Sequence, residues 1–421
     1  MSTIASQHSA SAKPSKAIAR KAGHSKAGPA RAKPRIGFAL AGGGPLAAVY
    51  EIGALAALEE SIAGLDANDA DIYVGISAGG IIASGLANGI TPHQMCRRFI
   101  ESDAHSTPNP ALFKPEILLR PASAEFKKRL ASVPGLIVES LFHYARHRSS
   151  LMSSFERMKE ALPAGILSGE GIHHYLKATF AGGGRSNDFR KLRRKLVIVA
   201  TDLDTGEAVR FGEPGWDSTP ISIAVQASAA VPGLFPPVQI KGRYFVDGAL
   251  RKTMHASIAL EAGVEMLFCV NPIVPYNASN HYPPGKLDKG GLFDVLSQTL
   301  RSILHSRLET GLASYQISHP HVDILLCQPN QDDAELFFTN IFSYSNRRRM
   351  CEQAYQNTRL MLWERREEIG PMLARHGLQL KLSVLRDTSL KLVQEPPSRK
   401  ALARLGQALD ELDRYLKVAH S

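Results

Sequence analysis

Cysteine is scarce in this chain, four residues in 421. Cys96, Cys269, Cys327 and Cys351 stand far apart, with neither a CxxC pair nor a Cys/His spacing. That pattern excludes a disulfide framework and argues against a zinc site, so a reducing compartment is expected and neither metal nor cofactor is called for. Acidic residues are missing altogether from the first 35 positions, which carry eight basic side chains, Lys13, Lys16, Arg20, Lys21, Lys26, Arg31, Lys33 and Arg35. Without them the formal charge of +11 falls to +3, so the basicity belongs to a tail. A nucleic-acid enzyme carries its excess on a folded face, and no nucleic-acid partner is expected. Large apolar residues are also nearly absent from the tail, and residues 1–34 read as disordered.

Long hydrophobic runs are equally rare. No apolar stretch near the N-terminus suits a secretory signal, and the one long uncharged run, Ile72 to Ile90, holds five glycines, two serines and Asn88. It reads as a buried strand, a tight turn and a buried helix. The expected location is cytoplasmic, with the basic tail either drawn to an anionic membrane surface as a peripheral contact or serving only to solubilise the chain.

From Arg35 onward the composition is that of a globular protein, 44% hydrophobic and 21% charged. Apolar runs at Ile36–Ala41, Ile72–Val74, Leu196–Ala200, Ala208–Phe211, Tyr244–Val246, Met266–Val270 and Val322–Leu326 predict strands. Helical stretches lie between most of them, among them Ala47–Glu60 and Ile81–Asn88, so the fold class is α/β: a mainly parallel sheet flanked by helices. Residues 104–165 interrupt the alternation with amphipathic helices that mix apolar and basic side chains, a helical insert suited to packing on the sheet or to a membrane-facing cap. Beyond Pro284 the chain is mainly helical, with long helices predicted at Gly290–Ile317, Arg347–His376 and Ser398–Val418. The expected organisation is therefore a tail (1–34), a catalytic domain (35–272, insert included) and a helical extension (273–421) whose strand near 322–326 joins the main sheet.

Three motifs carry chemistry. Gly75-Ile76-Ser77-Ala78-Gly79 fits a G-x-S-x-G nucleophile elbow between a strand and a helix, with Ser77 at the apex near the positive end of that helix. By itself the pentapeptide equally fits a tight turn whose serine caps a helix. Gly42-Gly43-Gly44 follows the first strand and can turn several backbone N–H groups toward one point, as an oxyanion requires. Gly42, Gly44 and Ala47 also satisfy a dinucleotide fingerprint, but the acid that reading needs at the end of the second strand is missing: Glu59 and Glu60 end the helix and Asp71 precedes the strand. The third motif is Asp247-Gly248-Ala249, an acid at the end of an apolar strand, which alone is a common turn signal.

In this order the three motifs resemble the patatin-like phospholipases, lipid acyl hydrolases with a Ser-Asp dyad. The stretches Ala200-Thr201-Asp202-Leu203-Asp204-Thr205-Gly206-Glu207 and Ala227-Ser228-Ala229-Ala230-Val231-Pro232-Gly233-Leu234-Phe235-Pro236-Pro237 are similar to bacterial members, and the resemblance covers roughly residues 35–272. It implies Ser77 as nucleophile, Asp247 as general base, the N–H groups of Gly42, Gly43 and Gly44 as oxyanion hole, and a lipid or ester substrate. The family places a basic residue and another glycine after its glycines, where this chain has Pro45-Leu46-Ala47-Ala48. Two alternatives stay open on the sequence. A Ser-Asp-His hydrolase would draw on His255, His281, His305, His319 or His321. A non-catalytic lipid-binding or scaffold protein would keep the fold and act through its C-terminal helices.

Overall fold

The computed structural model describes residues 34–101, 120–122, 164–280, 283–285, 287–332 and 344–393. The basic tail, nearly all of the 104–165 insert and the helix expected at 398–418 lie outside the described residues.

An eight-stranded sheet forms the centre. Its strands are β1 (Ile36–Leu40), β3 (Ile72–Gly75), β4 (Lys195–Asp202), β5 (Ala208–Phe211), β6 (Val238–Ile240), β7 (Arg243–Asp247), β8 (Met266–Val270) and β9 (Asp323–Cys327). A separate pair joins β2 (Ile62–Ala63) to β10 (Gln379–Leu380). Along the main sheet the order is β6-β7-β4-β3-β1-β8-β9, with β5 on the other edge of β4. Strands β4, β3, β1, β8 and β9 are parallel, whereas β5, β6 and β7 pair antiparallel. The predicted strands are all present within one or two residues, and β6 is one that the sequence pattern did not show. Three residues long and half exposed, it lacks a hydrophobic run.

Helices cover both faces. They are α1 (Gly44–Ser61), α2 (Ala78–Ala87), α3 (Pro92–Cys96), α4 (Glu170–Thr179), α5 (Ile221–Ser228), α6 (Ser257–Glu261), α7 (Gly291–Ser318), α8 (Tyr344–Glu364), α9 (Arg366–Arg375) and α10 (Leu382–Arg386). Because strand side chains alternate, Phe38, Leu40, Tyr73 and Ile198 enter one core with α1, α2, α5 and α8, while Ala39, Val74, Val197 and Cys269 enter the other with α6 and α7. Phe38 stacks between Tyr73 and Phe268, at centroid distances of 6.0 and 5.2 Å. Burial on both faces explains why β1 and β8 are continuous apolar runs with no alternation. The Ile72–Ile90 run is β3, a turn and α2, and among the described residues no helix is long and apolar enough to cross a membrane. The single helix predicted over Arg347–His376 is two, broken at Arg365, and the second contains Pro371, which supplies no N–H to its helix.

One crossing ties the C-terminal helices to the sheet. A Cβ on Gly53, in the middle of α1, would lie 2.3 Å from the Cys351 carbonyl oxygen and 2.9 Å from the Ala354 Cβ of α8. The two helices are therefore in backbone contact at this point. Gly53→Val is expected to destabilise the fold by about 2–3 kcal/mol through overpacking, measured by urea denaturation. Gly370→Ala, on α9 where an added Cβ meets nothing, serves as the control and should be neutral or slightly stabilising.

Candidate active site

The connection from β3 to α2 is held in an unusual backbone conformation. Ser77 has φ 53° and ψ −120°, a region costing a non-glycine residue about 1–3 kcal/mol. Three hydrogen bonds oppose that cost. The Ser77 N–H donates to Ser228 Oγ (2.8 Å), the Ser228 hydroxyl donates to the Val199 carbonyl (2.5 Å), and the Gly79 N–H donates to the Ala41 carbonyl (3.1 Å). The last bond brings the first turn of α2 so close to the end of β1 that a Cβ on Gly79 would lie 2.4 Å from the Leu40 oxygen. The glycine at this position is thus required by close approach.

Strand pairing explains how Asp247 reaches this turn. Ala200 and Thr201 of β4 pair with β5 on one edge and with β7 on the other, and β3 pairs with Lys195–Ile198 on the edge that β7 uses. Since β7 runs against β3, the carboxyl ends of the two strands meet head-on along β4, and Ser77 and Asp247 face each other across the gap. Asp247 is fixed there by its own backbone: its N–H donates to the Ala230 carbonyl (3.0 Å), and its carbonyl accepts from the Thr201 hydroxyl (3.0 Å). Its carboxylate accepts the Ala249 N–H at 2.8 Å.

Two buried aspartates at this end of β4 have opposite electrostatics. Burial pushes the Asp247 carboxyl up to about 6, although the Ala249 N–H and the Ser77 hydroxyl pull it partly back. Burial acts on Asp202 in the same direction, but the Thr205 N–H, the Arg243 guanidinium (2.5 Å) and the Asp204 N–H hold it below the ordinary range. Asp202 stays ionised and locks β7 onto β4. Among the described residues no cation plays that part at Asp247, which is therefore the better proton acceptor near neutral pH.

The glycine turn completes the site. A Cβ on Gly42 would lie 3.1 Å from the Ser77 Cβ and 3.7 Å from the Ala249 Cβ, so all three sequence motifs meet at one point. Gly43, at φ 124°, is the N-cap of α1, Gly44 is its first residue, and Pro45 is its second, where a missing N–H costs nothing. Both Gly44 and Ala78, the first residues of α1 and α2, line a cavity of about 100 Å³ together with Ser77. Two helix N-termini thus direct their positive ends at the cavity. Its remaining lining is apolar, including Val49, Ile81, Phe99, Leu234 and Phe235, except for the buried Arg347 of α8, whose guanidinium donates to the Phe99 carbonyl (2.9 Å).

The other sequence candidates among the described residues do not join the site. His255 is buried with its ring on the Gly248 carbonyl (3.3 Å), and burial lowers its pKa to about 4. His305 pairs with Glu309 on α7 (3.4 Å), and the rings of His319 and His321 lie 6.3 Å from each other near β9. His281 lies outside the described residues. The acids that a dinucleotide site would need serve the backbone instead: Asp71 accepts the Ile36 N–H (2.8 Å) and Glu59 the Ala67 N–H (3.2 Å). Ser228, Thr201, Asp202 and Arg347 support or line the site without having been assigned a role from sequence. The first three fall in the two stretches that resemble bacterial family members, which was their only signal. Arg347 had none.

A family model described as "Patatin-like phospholipase" matches residues 38–260. Among solved structures the chain is similar to VipD from Legionella pneumophila, with 15% identity, 79% of this chain and 67% of that chain covered, and a TM-score of 0.34. It is also similar to the type III effector protein ExoU, with 15% identity, 79% of this chain and 53% of that chain covered, and a TM-score of 0.33. A third is full-length ExoU from the type III secretion system of Pseudomonas aeruginosa in complex with full-length SpcU, with 16% identity, 67% and 53% covered, and a TM-score of 0.25. The chain spans about half the length of the ExoU chains it matches. With the family model extending over more than half of its residues, the chain belongs to the patatin-like phospholipases, a family of lipid hydrolases.

Proposed function

We propose that the protein cleaves carboxylic esters of lipids through an acyl-enzyme on Ser77, with Asp247 as general base and the N–H groups of the Gly42–Gly44 turn as oxyanion hole. The observation that carries this reading is the meeting of a strained serine with a buried aspartate whose pKa is about 6, at the edge of an apolar cavity and, among the described residues, without an imidazole. The acyl chain lies in the cavity and the ester carbonyl points toward the start of α1. Ser77 Oγ attacks the carbonyl carbon while its proton passes to the Asp247 carboxylate. Negative charge developing on the carbonyl oxygen meets the glycine N–H groups, each such donor contributing about 3–4 kcal/mol at the transition state. Collapse expels the alcohol, which takes the proton from Asp247, and water then repeats the sequence on the acyl-enzyme.

The base must be ionised before it can act, so activity depends on pH in a definite direction. The rate of ester cleavage is expected to rise as pH increases through about 6 and to level off above 7, because protonated Asp247 cannot accept the serine proton. The test is product analysis on phospholipid, lysophospholipid, triacylglycerol and short acyl esters across this range. Release of free fatty acid with that profile supports the proposal. A rate independent of pH between 5 and 7, or no acyl release from any of the four, removes it.

A further inference from the structure

A second cavity, of about 760 Å³, lies between the segment that follows Asp247 and helix α7, and shares no lining residue with the acyl cavity. Arg251, Lys252 and Arg307 line it together with hydroxyl-bearing residues of α7, and among the described residues no carboxylate does. We propose that this cleft binds a phosphate-bearing anion, held by Arg251, Lys252 and Arg307 with the hydroxyls of Thr310 and Ser314.

Charge balance is the first argument. Among the described residues none of these three cations has an ion-pair partner, although arginines elsewhere do: Arg210 with Glu261 (2.7 Å), Arg243 with Asp202 and Arg375 with Asp323 (2.6 Å). Glu261 is engaged by Arg210 (2.7 Å), although the field of Lys252 also reaches it, and Glu309 lies 3.4 Å from His305. Three like charges around one cavity repel one another, and a phosphate dianion placed among them removes that repulsion. After burial, the strongest influences on the nearby His255 are the Gly248 carbonyl and then Lys252, Arg210 and Arg251, whose fields all oppose its protonation.

Geometry is the second argument. The Arg307 guanidinium is anchored on the Leu250 carbonyl (2.8 Å) and that of Arg251 reaches the Gly206 carbonyl at 3.4 Å. One bond orients each fork, and its remaining donors suit the oxygens of a phosphate. Thr201 also lines the cleft, and its hydroxyl holds the Asp247 carbonyl (3.0 Å). An anion here would therefore sit one residue away from the backbone of the proposed base.

The source of the phosphate, a soluble ester or a lipid headgroup, is separated by two arms on the full chain at constant ionic strength. Glycerol 3-phosphate is titrated by calorimetry, and flotation is measured with phosphatidylcholine vesicles with and without phosphatidic acid. Saturable binding of the first assigns a soluble ligand; flotation only with phosphatidic acid assigns a headgroup. In either case Arg251→Gln and Arg307→Gln should each weaken binding about 10-fold. Ser77→Ala should bind as the wild type does, so the outcome does not depend on the catalytic reading. If the arginine variants fail to fold, Lys252→Gln, which gives up only a 3.5 Å contact to Ser257, should show a comparable loss. Absence of binding in both arms, or binding that none of these substitutions weakens, overturns the proposal.

Discussion

Replacing Ser77 by alanine is expected to lower acyl release by more than about 10⁴-fold, and Asp247→Asn by about 10³- to 10⁴-fold, with no matching loss at any histidine. The first loss follows from removing the attacking oxygen. The second follows from removing the proton acceptor beside it, since asparagine keeps the shape and the Ala249 hydrogen bond without accepting a proton. His255→Gln is the informative comparison, because this buried imidazole is eight residues beyond Asp247 and would be the obvious third member of a triad. Its ring contacts the Gly248 carbonyl, and burial keeps it neutral at neutral pH. Less than a tenfold change is expected there, against about 10³-fold or more for a true triad histidine. A loss of that size at His255, with thermal stability unchanged, would replace the dyad by a triad.

The same Asp247→Asn substitution is expected to stabilise the folded protein at pH 8. A carboxyl that titrates near 6 in the native state and near its ordinary 3.8 in the unfolded chain binds its proton more tightly in the folded chain. Stability therefore falls as pH rises from about 4 through 6, and above that range ionised Asp247 costs about 3 kcal/mol. Asparagine has no charge to bury, so the variant should gain about 1–3 kcal/mol over wild type at pH 8 and the difference should close near pH 4. Urea denaturation of both proteins at the two pH values measures it. The other carboxylates titrate equally in both chains and cancel. A difference that stays constant with pH would mean that Asp247 is not held at a cost, and the base would need another origin for its strength.

What could be read from the sequence was local. Gly75–Gly79, Gly42–Gly44 and Asp247–Ala249 each announce a turn after an apolar run, because backbone and steric demands within five residues leave few alternatives. Their convergence depends on β7 entering antiparallel beyond the end of β3, a matter of edge pairing that no pattern within either strand encodes. Ser228 supports the Ser77 N–H from 151 residues away, and Arg347 reaches the Phe99 carbonyl across 248. The break at Arg365 falls within Glu364-Arg365-Arg366-Glu367-Glu368, five charged residues that all favour a helix and so mark no boundary, while β2 and β10, at two residues each, are too short to produce a pattern.

The backbone contact between Gly53 and α8 also sets an order of assembly. The family match ends at residue 260, yet β8, β9 and α8 come later in the chain, and α8 supplies a wall of the acyl cavity through Arg347. During synthesis the contact of Gly53 with α8, and the part of the cavity wall that Arg347 forms, wait for residues 344–364 to leave the ribosome. Ser77, the glycine turn beside it and Asp247 are all made much earlier. The described wall of the cavity beside Ser77 is therefore finished only in the last quarter of translation, when Ser77, the glycine turn and Asp247 have long been in the chain.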